Sequence, residues 1–291
     1  MTDALFYTND GLKIKDAGFW LDSLQENQKA FISSAFYIQK KIRSTIFASE
    51  PTIALFSIFQ KKIKSLSCPF NHSFAIGPFY LELLPSGASL GAASLYIERK
   101  KESFLYISAR DLKQPKLFSE ASYKKTDHLI LRADAPLITE KKRDILSPES
   151  SFFTDLFSQA RETPLTIYSE PTTAAIFLYS KLKEVGYLPS LHKNIHAVLK
   201  VYRRFNNEAP LTKKQEANCM IQLAPFTGRK EKFTKNDIFI SSHQDLKNIS
   251  YFFSNGMTNS ALQEVLEKTE ARNVFFVGPY AKDFLLIPLP K

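Results

Sequence analysis

The spacing of apolar residues changes character near Pro148, and that change limits the fold more than any single residue does. Before it the chain reads as closely spaced strands. Leu12-Lys13-Ile14-Lys15 alternates with period two behind the turn signal Asp10-Gly11. Phe19 to Asp22, Ala30 to Ser34, Phe79 to Leu84, Ser94 to Glu98, Ser103 to Ser108 and His128 to Arg132 are short runs of the same kind. One helix interrupts them, from Thr52 to Lys64, with Ser49 or Thr52 near its cap. After Pro148 helices alternate with strands: helix 151–161, strand 165–168, helix 172–185 stopped by Gly186, and helix 196–205. Strands at 219–223 and 237–240, a helix at 260–269 and a strand at 273–277 follow. A run of strands followed by alternating elements predicts an α/β protein. We expect one domain from 1–148 and 236–291, interrupted by an α/β insertion at 149–235.

Charge narrows the partners. Among 291 residues, 39 Lys and Arg outweigh 29 Asp and Glu, a net charge of +10 that favours a polyanion such as nucleic acid. The basic residues cluster at Lys40-Lys41, Lys61-Lys62 with Lys64, Arg99-Lys100-Lys101, Lys141-Lys142-Arg143, Arg203-Arg204, and Arg229-Lys230 with Lys232. Any one cluster also reads as a solvated face. No apolar run reaches the roughly 20 residues of a membrane span, so no membrane partner is expected. The first residues lack a basic segment followed by an apolar one, so no secretory leader is expected. Two cysteines, Cys68 and Cys219, suit a reducing compartment, and the expected location is cytoplasmic.

Nucleotide-binding glycine patterns are absent from the sequence, and no cofactor is expected. Gly87-Ala88-Ser89-Leu90-Gly91 matches a nucleophile elbow by letter, but a strand rather than a helix follows it. His192 and His196 stand four apart without the glutamate that a zinc protease helix carries, so both read as structural. His72 and His128 are isolated, and Cys68 has no basic neighbour in sequence to activate it.

The segment Leu83-Leu84-Pro85-Ser86-Gly87-Ala88-Ser89-Leu90-Gly91-Ala92-Ala93 resembles the Leu-Pro-Ala-Gly-His-Ile-Leu-Gly-Ser-Ala stretch of metallo-β-lactamase-fold nucleases. Ala88 stands where those proteins carry a metal-binding histidine. Gly11-Leu12 with Trp20-Leu21-Asp22, then Tyr187 to His192, Leu223-Ala224-Pro225 and Ser241-Ser242-His243-Gln244-Asp245 resemble further landmarks in the same order. From Gly11 to Phe284 the chain is similar to the ligase-associated DNA exonucleases, also called mRNA 3′-end-processing-factor-like proteins. The resemblance implies an αββα sandwich with a β-CASP insertion and a cleft that accepts a nucleic-acid end.

It also implies a two-metal site, which needs imidazoles and carboxylates to hold the cations. Here the positions of the His-x-His-x-Asp-His ligands fall on Ser34, Phe36, Ile38 and Gln39. The next histidine falls on Ala88, the bridging aspartate on Ala109 and the final histidine on Gly278. The acid of the first β-CASP motif falls on Arg132, a reversal of charge, and Arg110 follows the lost aspartate. Only His243 keeps its family residue, in a role (protonating the leaving group) that depends on the metals.

These substitutions predict a catalytically inactive, nuclease-like protein that holds no metal. It would bind nucleic acid, with Arg110 and Arg132 as candidate phosphate contacts, or partner an active nuclease, ligase or helicase. Two rivals stay open. One is an active enzyme with a site rebuilt from Asp111, Asp134 and His243; the other is a scaffold without a nucleic-acid role.

Overall fold

A computed structural model describes residues 5–8, 11–23, 26, 28–35, 42–108, 119–133, 156, 158, 160, 163–170, 172–206, 221–225, 237–241, 251–252 and 257–284. The elements of the first part are β1 (Leu5–Thr8), β2 (Gly11–Ile14), β3 (Phe19–Leu21), β4 (Lys29–Phe31), β5 (Thr45–Ala48), α1 (Glu50–Phe59) and β6 (Ser65–Ser67). They continue with β7 (Ser73–Ile76), β8 (Phe79–Pro85), β9 (Ala93–Arg99), β10 (Glu102–Ser108) and β11 (His128–Arg132). Then come β12 (Leu165–Glu170), α2 (Thr172–Glu184), β13 (Ser190–Leu191), α3 (Lys193–Phe205), β14 (Ile221–Pro225), β15 (Asp237–Ser241) and β16 (Tyr251–Phe252). The chain closes with α4 (Asn259–Thr269), β17 (Asn273–Val277) and α5 (Ala281–Phe284).

Two compact units divide the chain. The first comprises Met1–Ala35, Lys40–Glu140 and Asn255–Lys291; the second comprises Phe36–Gln39 and Lys141–Ser254.

In the first unit, two six-stranded sheets run in the orders β1-β2-β3-β4-β5-β6 and β17-β11-β10-β9-β8-β7. Alternation decides which side chains meet between them. Leu12, Ile14, Phe19, Leu21, Phe31 and Phe47 of one sheet form a single buried cluster with Phe79, Leu81, Leu83, Leu95, Ile97, Phe104 and Tyr106 of the other. Aromatic edges lock it: Phe19 meets Phe47 at 5.0 Å between ring centroids, and Phe31 meets Tyr106 at 6.2 Å. Each such ring, fully buried, contributes roughly 2–3 kcal/mol from removed apolar area. The opposite face of the second sheet carries Leu105, Ile107, Leu129 and Leu131, and α4 covers it through Leu262, Val265 and Leu266. α1 crosses between the parallel strands β5 and β6. The inner face of that sheet is already occupied, so a crossover helix must lie on the outer one. The unit therefore has four layers, α1, sheet, sheet and α4.

The second unit holds a five-stranded sheet of order β13-β14-β12-β15-β16 in which every pairing is parallel. Helices α2 and α3 connect its strands, as parallel pairing requires. β15 and β16, which the sequence placed beyond the insertion's end at 235, extend this sheet: Ser169 of β12 sits in register with Ile240. The second unit ends at Ser254, and the turn dipeptide Asn255-Gly256 directly after it is the sequence signal that a boundary at 235 passes over.

Candidate functional site

The carboxyl ends of β3, β4, β5, β8, β10, β11 and β17 meet along one rim of the first unit. Register carries a row across the second sheet there, with Pro85 beside Ala93, Ser108 beside Arg132, and Arg132 beside Val277. The first sheet ends level with it, where the Asp22 amide donates to Phe31 O and the Ile32 amide to Phe47 O. Loops leaving the carboxyl ends of strands are where α/β sheets usually hold ligands.

Four kinds of bond sew the two sheets together at this rim. The Ala93 amide donates to Ser33 O at 2.7 Å. The Tyr106 hydroxyl donates to Asp22 Oδ2 at 2.8 Å, while the Ser33 amide donates to Asp22 Oδ1 at 2.7 Å. Arg132 Nη1 donates to Asp22 O at 2.7 Å and to Leu21 O at 3.3 Å. Ser49 Oγ and Thr52 Oγ1 both donate to Gly91 O, at 2.5 and 2.9 Å. Asp22 stands at a φ of 48°, a left-handed conformation that aspartate tolerates better than most residues. One half-buried carboxylate thus organises Ser33, Tyr106 and, through its own carbonyl, Arg132.

Local sequence explains the loop that carries Ala88. Ser49 caps α1 by accepting from the Thr52 amide, and Pro51 is harmless in a first turn. Gly91 presses on that cap at a φ of 75°; a β-carbon on it would lie 2.7 Å from Thr52 N and 2.8 Å from Ser49 Oγ. The loop joins antiparallel β8 to β9, so Gly87 to Gly91 is strand–loop–strand and forms no nucleophile elbow, with Ser89 buried inside it.

Ser34, Ala88 and Gly278 lie on this rim: Ser34 follows Ser33, Ala88 sits in the 86–92 loop, and Gly278 follows Val277. Ser34 is half-buried and Ala88 buried. Gly278 has a φ of 106°, and a β-carbon there would fall 2.8 Å from Ala133 O. That backbone admits glycine alone, so no donor can stand at 278 itself. Phe36, Ile38, Gln39, Ala109, Arg110, Asp111, Asp134 and His243 lie outside the described residues. Among the described residues, no group of three or more His, Cys, Asp and Glu could hold a metal ion. Among the described residues, the rim buries the hydroxyls of Ser33, Ser49, Thr52, Ser89 and Ser108 beside the half-buried Asp22 carboxylate. Neutral hydroxyls are poor ligands for the borderline metals that imidazole binds.

The remaining candidates are structural. His192 caps α3, its Nδ1 accepting from the Asn194 amide at 3.3 Å, and the His196 amide donates to His192 O. His128 is buried, stacked on Phe104 at 4.8 Å, with Asn273 Nδ2 3.2 Å from its Nδ1. Exposed His72 meets Phe70 O. Burial pushes the Cys68 thiol up to about 11, well away from a reactive thiolate. The sequence analysis missed the tie between Tyr106, Asp22 and Arg132. The available signal was Tyr106 itself, since a tyrosine inside an apolar strand needs a partner for its hydroxyl.

No protein-family model and no curated protein matches the chain. A solved structure, that of a protein of unknown function from Enterococcus faecalis V583, matches with a TM-score of 0.56 and 12% identity. The match covers 91% of this chain and 78% of that one. At that identity the likeness concerns the fold alone. No described helix is long and apolar enough to cross a membrane.

Proposed function

We propose that this chain is a nuclease-like pseudoenzyme of the metallo-β-lactamase type with a β-CASP-like second unit, which binds nucleic acid or partners an active end-processing enzyme without cutting. One observation supports this above the others. Ser34, Ala88 and Gly278 are far apart in sequence and stand where the resemblance would put metal ligands, yet they share one rim, and none offers an imidazole or a carboxylate. The four layers of the first unit and the parallel sheet of the second agree with the architecture that the resemblance implies. A bridging nucleophilic water requires fixed cations, and among the described residues the rim offers hydroxyls, a methyl group, a bare glycine and one carboxylate, Asp22, whose oxygens already accept from Ser33 and Tyr106.

The test is an end-labelled strand, DNA and RNA in parallel, incubated with the protein in Mn²⁺, Zn²⁺ or Mg²⁺. The strand should be retained at low salt and keep its full length. Shortening that His243→Ala abolishes would establish the rebuilt enzyme instead. Retention no stronger than that of unrelated basic proteins would favour the scaffold.

A further inference from the structure

We infer that the outer face of α3, in the second unit, is a docking surface for the phosphodiester backbone of a nucleic-acid strand. The inference rests on the nucleic-acid part of the proposed function and gives it a location. α3 reads Lys193-Asn194-Ile195-His196-Ala197-Val198-Leu199-Lys200-Val201-Tyr202-Arg203-Arg204-Phe205, with four basic residues and no carboxylate. At about 100° per residue, Lys193, Lys200 and Arg204 fall within about 40° of arc. Ile195, Val198, Leu199 and Tyr202 occupy the opposite side and are buried. Lys193, Lys200 and Arg204 are exposed.

Two features separate this stripe from an ordinary solvated face. The other long helices carry acidic residues of their own among their cations, Glu184 in α2 and Glu264 and Glu267 in α4, whereas α3 carries none. Lys193 also places positive charge in the first turn, the end of a helix that repels it. Local helix stability therefore does not account for it, whereas an external anion does.

The chemistry points to nucleic acid rather than a lipid surface. An interfacial helix must lay its apolar face into the bilayer, and that face of α3 is already buried in the protein. What remains outside is a straight row of cations about 17 Å long at 1.5 Å rise per residue, which runs beside several successive phosphates of one strand. It reads no bases, so DNA and RNA of equal length should bind alike. Arg132 differs: its described bonds lead inward, to Leu21 O and Asp22 O.

The test compares two triple variants that each lower the formal charge from +10 by three. One is Lys193→Gln/Lys200→Gln/Arg204→Gln on α3; the other is Lys61→Gln/Lys62→Gln/Lys64→Gln, an exposed cluster of the first unit. The probe is a labelled oligo-dT titrated at several salt concentrations. The α3 triple should lose more than about tenfold in affinity and flatten the salt slope by about 2, at roughly 0.7 per lost phosphate contact. The control should lose less than about threefold, and the double variant Lys193→Gln/Lys200→Gln should fall between them. Equal losses in both triples, or an α3 triple that binds like the wild type, would overturn the inference while leaving the proposed function standing. A wild type that fails to bind the probe would remove the nucleic-acid role along with it.

Discussion

The rim of the first unit and helix α3 of the second both gather cationic or polar side chains, and they direct them oppositely. At the rim Arg132 donates to backbone carbonyls, and Asp22 accepts from Ser33 and Tyr106, all partners within the fold. On α3, Lys193, Lys200 and Arg204 point away from the buried face of Ile195, Val198, Leu199 and Tyr202. The contrast teaches that a rim of strand ends can hold its geometry through bonds made entirely within the fold. A protein's positive charge can meanwhile find its use elsewhere.

That comparison can be broken in steps. The largest effect should come from Gly91→Ala, which combines a left-handed backbone with overpacking against the α1 cap. We expect a loss of about 4 kcal/mol by chemical denaturation. A loss under about 1 kcal/mol would mean that the loop is not pinned. Asp22→Ala should cost about 3 kcal/mol, because it strips the charge-assisted acceptor from the Ser33 amide and from the buried Tyr106 hydroxyl. Asp22→Asn, which keeps an acceptor and tolerates the same φ, should cost about 1 kcal/mol.

Cys68 gives the next effect, and its sign is fixed. Burial pushes the folded thiol up to about 11, from the 9.0 of a free thiol. Below pH 9 both states hold the proton and the contribution to stability is complete. Between pH 9 and 11 the unfolded thiol ionises first, so stability falls as pH rises, by on the order of 2–3 kcal/mol at about 1.36 kcal/mol per pH unit. Denaturation across that window should show a steeper decline for the wild type than for Cys68→Ala; parallel declines would refute it. The smallest effect is on the stability of the α3 triple variant, expected within about 0.5 kcal/mol of wild type because its side chains are exposed. Arg132→Gln should do the reverse, costing about 2 kcal/mol of stability while leaving oligonucleotide affinity within about twofold.

Much of the fold was legible where parallel strands carry continuous apolar runs, whether buried as in β11 or half-buried at the sheet edge as in β17. His128–Arg132 and Asn273–Val277 carry the bounds that their apolar runs suggest, since strands of a parallel pair read as continuous apolar segments. β5, β6 and β7 were not read: Ser65-Leu66-Ser67 is an exposed edge, and four-residue strands give too little periodicity. α3 begins at Lys193, three residues ahead of the expected His196, because the His192 cap uses a residue type that sequence rules do not favour there. At the rim, no local pattern brings Ser34 and Ala88 together. The bond from Tyr106 to Asp22 spans 84 residues and that from Arg132 spans 110, distances no local pattern encodes.

The most direct measurement is elemental analysis of the purified, untagged protein after growth in zinc-, manganese- and iron-supplemented medium. A rim of hydroxyls, Ala88, Gly278 and a single carboxylate already bonded to Ser33 and Tyr106 predicts well under one equivalent of any of these metals per chain. One or two equivalents that survive dialysis and disappear on His243→Ala would contradict the account.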